Sequence, residues 1–379
     1  MRKRLALVVT LILTLWLHTL PVLAGPSGGA DIDFSDVERI LQAIDDDIAE
    51  YIPHMDVGGL FRSIAQGTLR ADAGQILNGI LRYFFHEAQA NARLLGALIA
   101  LSVMSALVAN LQAGFGNDTV AKLAYSACHL VLITLATGSF GVAMGVAQRA
   151  VADLLSVMRA LLPTLIILVA GSGAPVTAGL LSPLMISTLQ VVAGIVSSVV
   201  LPLVLFCAVL EIVSHVWESI NLSGVIGLIR LAANTVLGLT LAVYLGVAAV
   251  QKAAGSVSDN VTLRTAKFLS NTFVPVVGKM FSDAAELVLS SSSVLRAAVG
   301  AAGALAVFLV VVFPIAKILA AVFVYRFAAA LVEPLGSKSI VSCLNGIAHS
   351  LVMMCVCLGA VAMMLWVSLA MLAGAVRPT

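Results

Sequence analysis

Six stretches of this chain are apolar for long enough to cross a bilayer: 94–111, 123–147, about 184–213, 231–251, 297–325 and 347–373. A helix needs about 20 such residues to span the hydrocarbon core. A seventh stretch, 160–178, is interrupted by Pro163, Gly171, Gly173 and Pro175. Over all 379 residues, 61% are hydrophobic and 11% are charged. Soluble domains carry about 45–50% and about 25%. One soluble core cannot hide that much apolar surface. This excludes a soluble enzyme, a disordered chain and a nucleic-acid binder with a basic face. The expected fold is all-α: a polytopic helical membrane protein of 6–7 spans that takes the lipid bilayer as its solvent.

The first 24 residues read as a Sec signal peptide. Arg2, Lys3 and Arg4 precede a short apolar run over 5–17, and Val22 and Ala24 fit the small-residue cleavage rule. An uncleaved first helix is the alternative. In both cases the following segment is delivered outside the cytoplasm. Residues 25–93 hold eleven acidic and five basic residues, whereas 94–379 hold eight and thirteen. An acidic, helical, extracytoplasmic region over 25–93 is therefore expected ahead of a multi-span membrane domain over 94–379. Ser35 and Glu38 form a capping box, followed by apolar residues at helical spacing from Val37 to Tyr51. Ile76, Leu77, Ile80, Leu81 and Phe84 form a second apolar stripe. Such stripes either dock a partner or pack on each other and the bilayer. Asp45, Asp46 and Asp47 read best as a solvated helix face.

The membrane part carries a weak internal repeat. Pro163 and Pro275, Pro202 and Pro314, and Gly224 and Gly336 are each 112 residues apart. Units of about 123–251 and 231–373 follow from this, with gaps. Chance similarity in a low-alphabet apolar sequence competes with that reading. A proline removes one helical hydrogen bond, so kinks are expected at Pro163, Pro202, Pro275 and Pro314. If all seven candidates cross, Arg149, Arg159 and Arg230 fall in outside loops, and the basic residues show a slight inside bias.

No catalytic motif emerges. Gly278-Lys279 lacks the rest of a phosphate-binding loop, His86-Glu87 has no second histidine, and Cys355 and Cys357 are too close for a redox pair. The five cysteines give neither a disulfide framework nor a zinc site. No enzyme activity, cofactor or metal is expected. Ionisable residues inside apolar runs are the default functional candidates in a membrane. Lys317 and Glu211 are the two best. They pair with each other across the repeat seam, or each snorkels from a helix end. His129 and His349 read as packing residues, and Gly141 and Gly145 as a small-residue pair for close helix contact.

The segment 252–296 is too apolar for a loop and too charged to span. It contains Lys267, Phe268, Phe273, Pro275, Gly278, Lys279 and Asp283. It is read either as irregular backbone dipping into a cavity or as a pair of interfacial helices. With Phe84, Phe85, His86, Glu87, Leu94 and Leu95, and with Gly300 to Gly303, it resembles the stage III sporulation protein AE family. The resemblance implies a membrane component of the channel or secretion-like complex between mother cell and forespore. It implies the other stage III A sporulation proteins as partners and, through the complex, stage II sporulation protein Q. It implies a place in the mother-cell membrane around the forespore, and no catalytic residues. A secondary transporter with a substrate site at the repeat seam, near Pro163, Pro202, Pro275, Pro314 and Lys317, is the alternative. A passive membrane scaffold is a third.

Overall fold

The computed structural model describes residues 73–115, 119–172, 174–216, 222–273, 277–335 and 338–374. The signal peptide, the first head helix, Asp45 to Asp47, Pro275 and Gly336 lie outside the described residues. So do the side chains of His129 and of 256–295.

Every regular element among the described residues is helical. They are α1 (Ala73–Ala90), α2 (Ala92–Phe115), α3 (Thr119–Gly171), α4 (Pro175–Ile195), a π-turn (Val196–Val200), α5 (Leu201–Val216), α6 (Ser223–Phe273), α7 (Val277–Val332), a 3-10 turn (Glu333–Leu335) and α8 (Lys338–Ala373). Among the described residues, five helical stretches are long and apolar enough to cross a membrane: Leu130–Gly171, Pro175–Ser214, Ser223–Gly255, Val299–Val332 and Ser339–Ala373. Ala92–Ser105 is a shorter apolar helix. The chain is thus a polytopic helical membrane protein.

The expected spans 123–147 and 160–178 are not separate. Both enter α3, which runs unbroken through Pro163. A lone proline costs the Arg159 carbonyl its helical partner. Leu161, Leu162 and Leu165 around it are fully buried and hold the helix in line. The break comes instead where Gly171, Gly173 and Pro175 cluster, with Pro175 opening α4. Arg149 and Arg159 are therefore helical residues rather than loop residues. The 252–296 segment is likewise helical, continuing α6 to Phe273 and opening α7 at Val277.

The core is built on α7 against α8, with α3 and α5 packed around them. Small residues let these backbones approach. A Cβ on Gly303 would come within 2.8 Å of the Leu161 side chain and 3.3 Å of Leu369. Polar rings tie the helices at set levels. Trp366 Nε1 donates to the Ala304 carbonyl at 2.9 Å. The Tyr244 hydroxyl donates to the Met364 carbonyl at 2.8 Å and also bonds with Ser368. The Tyr325 hydroxyl reaches the Ala136 carbonyl at 3.5 Å. At one end of the bundle Arg296, 2% exposed, donates to Ser172 Oγ at 2.7 Å across the α3–α4 turn. Burial pushes its guanidinium pKa below the usual value.

Gly303→Val overpacks the α3–α7–α8 contact and should lower stability by about 1–3 kcal/mol. Gly227→Val, where an added Cβ meets nothing within 4 Å, should leave it nearly unchanged. Thermal unfolding of both variants in detergent checks this, and equal midpoints would refute the packing argument.

Candidate functional site

Lys317 lies one turn beyond Pro314 inside the apolar span of α7. An ammonium there needs a partner, because lipid offers none. The partner comes from α1: Glu87 Oε1 is 3.3 Å from Lys317 Nζ. The two side chains are 14% and 39% exposed respectively. Helix α1 is fixed for this task by aromatic contacts. Tyr83 meets Phe313 edge-on at 5.2 Å, and Phe84 meets Phe323 at 6.2 Å. Asn91 Nδ2 donates to the Glu87 backbone carbonyl at 2.8 Å, which closes the α1–α2 junction beneath the carboxylate. The second apolar stripe of the head is thereby split. Phe84 turns toward α7, whereas Leu77 and Leu81 are exposed.

The pair walls a cavity of about 370 Å³ between α1, α2, α3 and α7. Glu87, Asn91, Thr134, Ser139 and Lys317 supply its polar atoms, and Val142 and Ala321 are among its apolar lining. Chemically the site offers a fixed dipole, an amide and two hydroxyls in an apolar wall. That suits water or a small zwitterion better than a bond-making reaction. No group of three or more His, Cys, Asp or Glu able to hold a metal occurs among the described residues.

Glu211 sits elsewhere and pairs differently from the expected Glu211–Lys317 contact. Its Oε2 accepts from Arg230 Nη2 at 2.9 Å, between α5 and α6. The reason is topological. Only residues 217–222 separate α5 from α6 along the chain, so residues nineteen apart face one another. The Glu211 carboxyl lies against the backbone of α8 at Gly346, where any Cβ would overlap it. His349, one turn further along α8, feels the charges of Arg230 and Arg326. Cys207 and Cys343 are buried close to the same carboxylate. The cluster ties three helices together.

Pro314 lies inside α7, and Pro163 inside α3. Pro202 follows the π-turn, in which Leu201 N–H donates to the Val196 carbonyl, five residues back. The wider turn absorbs the hydrogen bond that Pro202 cannot make. Sequence reasoning missed Arg230, Arg296 and Gly346. Arg230 was read as a loop residue because the start of α6 has polar and glycine residues. The signal for Arg296 was its position at the very edge of the 297–325 stretch.

Long apolar helices and paired charges within or beside them define a multi-pass helical membrane protein. The pattern of the stage III sporulation protein AE family matches residues 55–376. A relative described as stage III sporulation protein AE, from Bacillus subtilis (strain 168), is 35% identical over 337 residues, covering 88% of this chain and 84% of its own length. No solved structure matches. The chain belongs to the stage III sporulation protein AE family, a family of sporulation membrane proteins and not a known enzyme family.

Lys317→Met should leave Glu87 uncompensated and cost about 1–2 kcal/mol, less than a fully buried pair because Lys317 is partly exposed. Exchanging the two, Glu87→Lys with Lys317→Glu, should recover most of it. Thermal midpoints in detergent decide; no change in Lys317→Met would mean that the contact contributes nothing. Gly346→Ala should displace Glu211 and destabilise the protein, and should do so far less when Glu211 is already Ala and Arg230 is Met. Equal losses in both backgrounds would count against that coupling.

Proposed function

We propose that this protein is an integral membrane component of the mother-cell-to-forespore channel or secretion-like complex. That complex is required for late forespore gene expression and endospore formation. The observation that carries the reading is the family match over 55–376, which takes in all five candidate spans and α1. The protein acts in the mother-cell membrane that surrounds the forespore. Its acidic N-terminal region faces the extracytoplasmic space. There it meets other stage III A proteins and, through them, stage II sporulation protein Q. The membrane helices supply a base or conduit rather than a reaction.

A second reading, a secondary transporter, is favoured by one observation: the largely apolar cavity that Glu87 and Lys317 line. Weak repeats over about 123–251 and 231–373 accompany it. Membrane proteins built from repeats often bind substrate between them.

Deleting the gene in its host should leave vegetative growth normal and arrest spore formation after engulfment. Spore counts and growth curves scored separately check this. A growth defect in cells that never sporulate would overturn the proposal. Purified protein in liposomes should show no uptake by itself; autonomous saturable uptake would favour the transporter.

A further inference from the structure

The exposed face of α3 carries charges level with the middle of the candidate span of α7. Leu130–Gly171 is a candidate span, and Arg149 and Asp153 lie near its middle. Two contacts fix their depth independently. Ala136 sits beside Tyr325, and Leu161 sits beside Gly303. Between these anchors α3 and α7 run antiparallel. Arg149 and Asp153 are therefore level with about residues 310–314, in the middle of the α7 span Val299–Val332.

The two faces of α3 differ sharply at this level. Ala147, Ala150, Val151, Leu154, Val157 and Met158 are buried against the bundle. Gln148, Arg149, Ala152, Asp153, Ser156 and Arg159 are exposed. Arg149 Nε donates to the Gly145 carbonyl at 3.3 Å, and Ser156 Oγ to the Ala152 carbonyl at 3.0 Å. Asp153, one turn beyond Arg149, feels its charge. Neither Arg149 nor Asp153 forms a salt bridge with another helix among the described residues. Ionisable residues in spanning helices almost always face protein or a water-filled space, because lipid cannot solvate them.

The same face is unusually flat. Gly141 and Gly145 recur at helical spacing with Ala152 and Ser156, and a Cβ on either glycine would meet nothing within 4 Å. Small residues at this spacing let another helix backbone come close.

We propose that this face of α3 packs against the same face of a second copy of the chain inside the bilayer, Arg149 of each copy pairing with Asp153 of the other. Copies in one membrane share one orientation, so equal levels meet about an axis along the membrane normal. Arg149 and Asp153 are one turn, about 6 Å, apart along the helix axis, a rise that the long Arg149 side chain spans once it leaves the Gly145 carbonyl. The surface holds both signs one turn apart and is thus complementary to itself. A partner helix of a single charge would leave one of the two unpaired. The glycines give the approach that the pairing needs. The inference stands independently of what the complex conducts.

The test uses the full chain in membranes. Ala152→Cys and Gly145→Cys, oxidised in place, should each give a disulfide-linked dimer. The unchanged chain and Leu239→Cys, on the exposed side of α6, should not. In the Ala152→Cys background, Arg149→Asp alone and Asp153→Arg alone should each lose about tenfold in dimer. Co-expressing the two should restore it, because one copy then carries two acids and the other two bases. Intact thermal unfolding of each variant separates lost association from lost folding. Labelling of Ala152→Cys by a membrane-impermeant maleimide without dimer would overturn the proposal in favour of a water-filled lumen. Protection without dimer would do so in favour of cover by another protein or by residues 1–72.

Discussion

Inside a bilayer the backbone has no water to turn to, and each unmade hydrogen bond costs several kcal/mol. The architecture follows from that constraint. Helices continue through Pro163 and Pro314 instead of breaking. Where Pro202 leaves a carbonyl unserved, the chain widens into the Val196–Val200 π-turn and resumes. Among the described residues, α3 ends at Gly171 and α4 opens at Pro175, and a 3-10 turn follows Val332.

With the backbone satisfied internally, side-chain polarity becomes the means of joining one helix to another. Three contacts do most of this. Glu87 and Lys317 join α1 to α7, Glu211 and Arg230 join α5 to α6, and Arg296 and Ser172 join α7 to the end of α3. Each links apolar surfaces that dispersion alone would allow to slide. Apolar packing between α7 and α8 supplies bulk contact, and the polar pairs set register along it. Lys317 also opens a cavity, since a long charged side chain cannot pack as tightly as a leucine.

The helical class and the membrane setting were legible from apolar runs alone, because lipid admits few alternatives. Lys317 and Glu211 stood out for the same reason: a charge in an apolar run is conspicuous. Their partners were not legible. Glu87 sits in a segment read as exported head, and Arg230 in one read as loop. Pairing depends on which helices touch, and hydropathy carries no record of that. The end of α3 was misplaced because Arg149 and Arg159 read as loop residues, whereas the helix carries both on its exposed face. A single proline is tolerated in a packed helix, whereas Gly171, Gly173 and Pro175 together are not. The asymmetry of α3, charged outside and apolar inside at one level, needed the fold, since only packing separates its faces.

The contact between α1 and α7 also sets an order of assembly. Glu87 and Lys317 are far apart in the chain but adjacent in space. During synthesis α1 emerges long before its partner exists, on the order of ten seconds or more at usual elongation rates. Through that interval Tyr83, Phe84 and Glu87 have no α7 to rest on. The first described helix is therefore among the last to find its place, and its docking reports that the later spans have inserted.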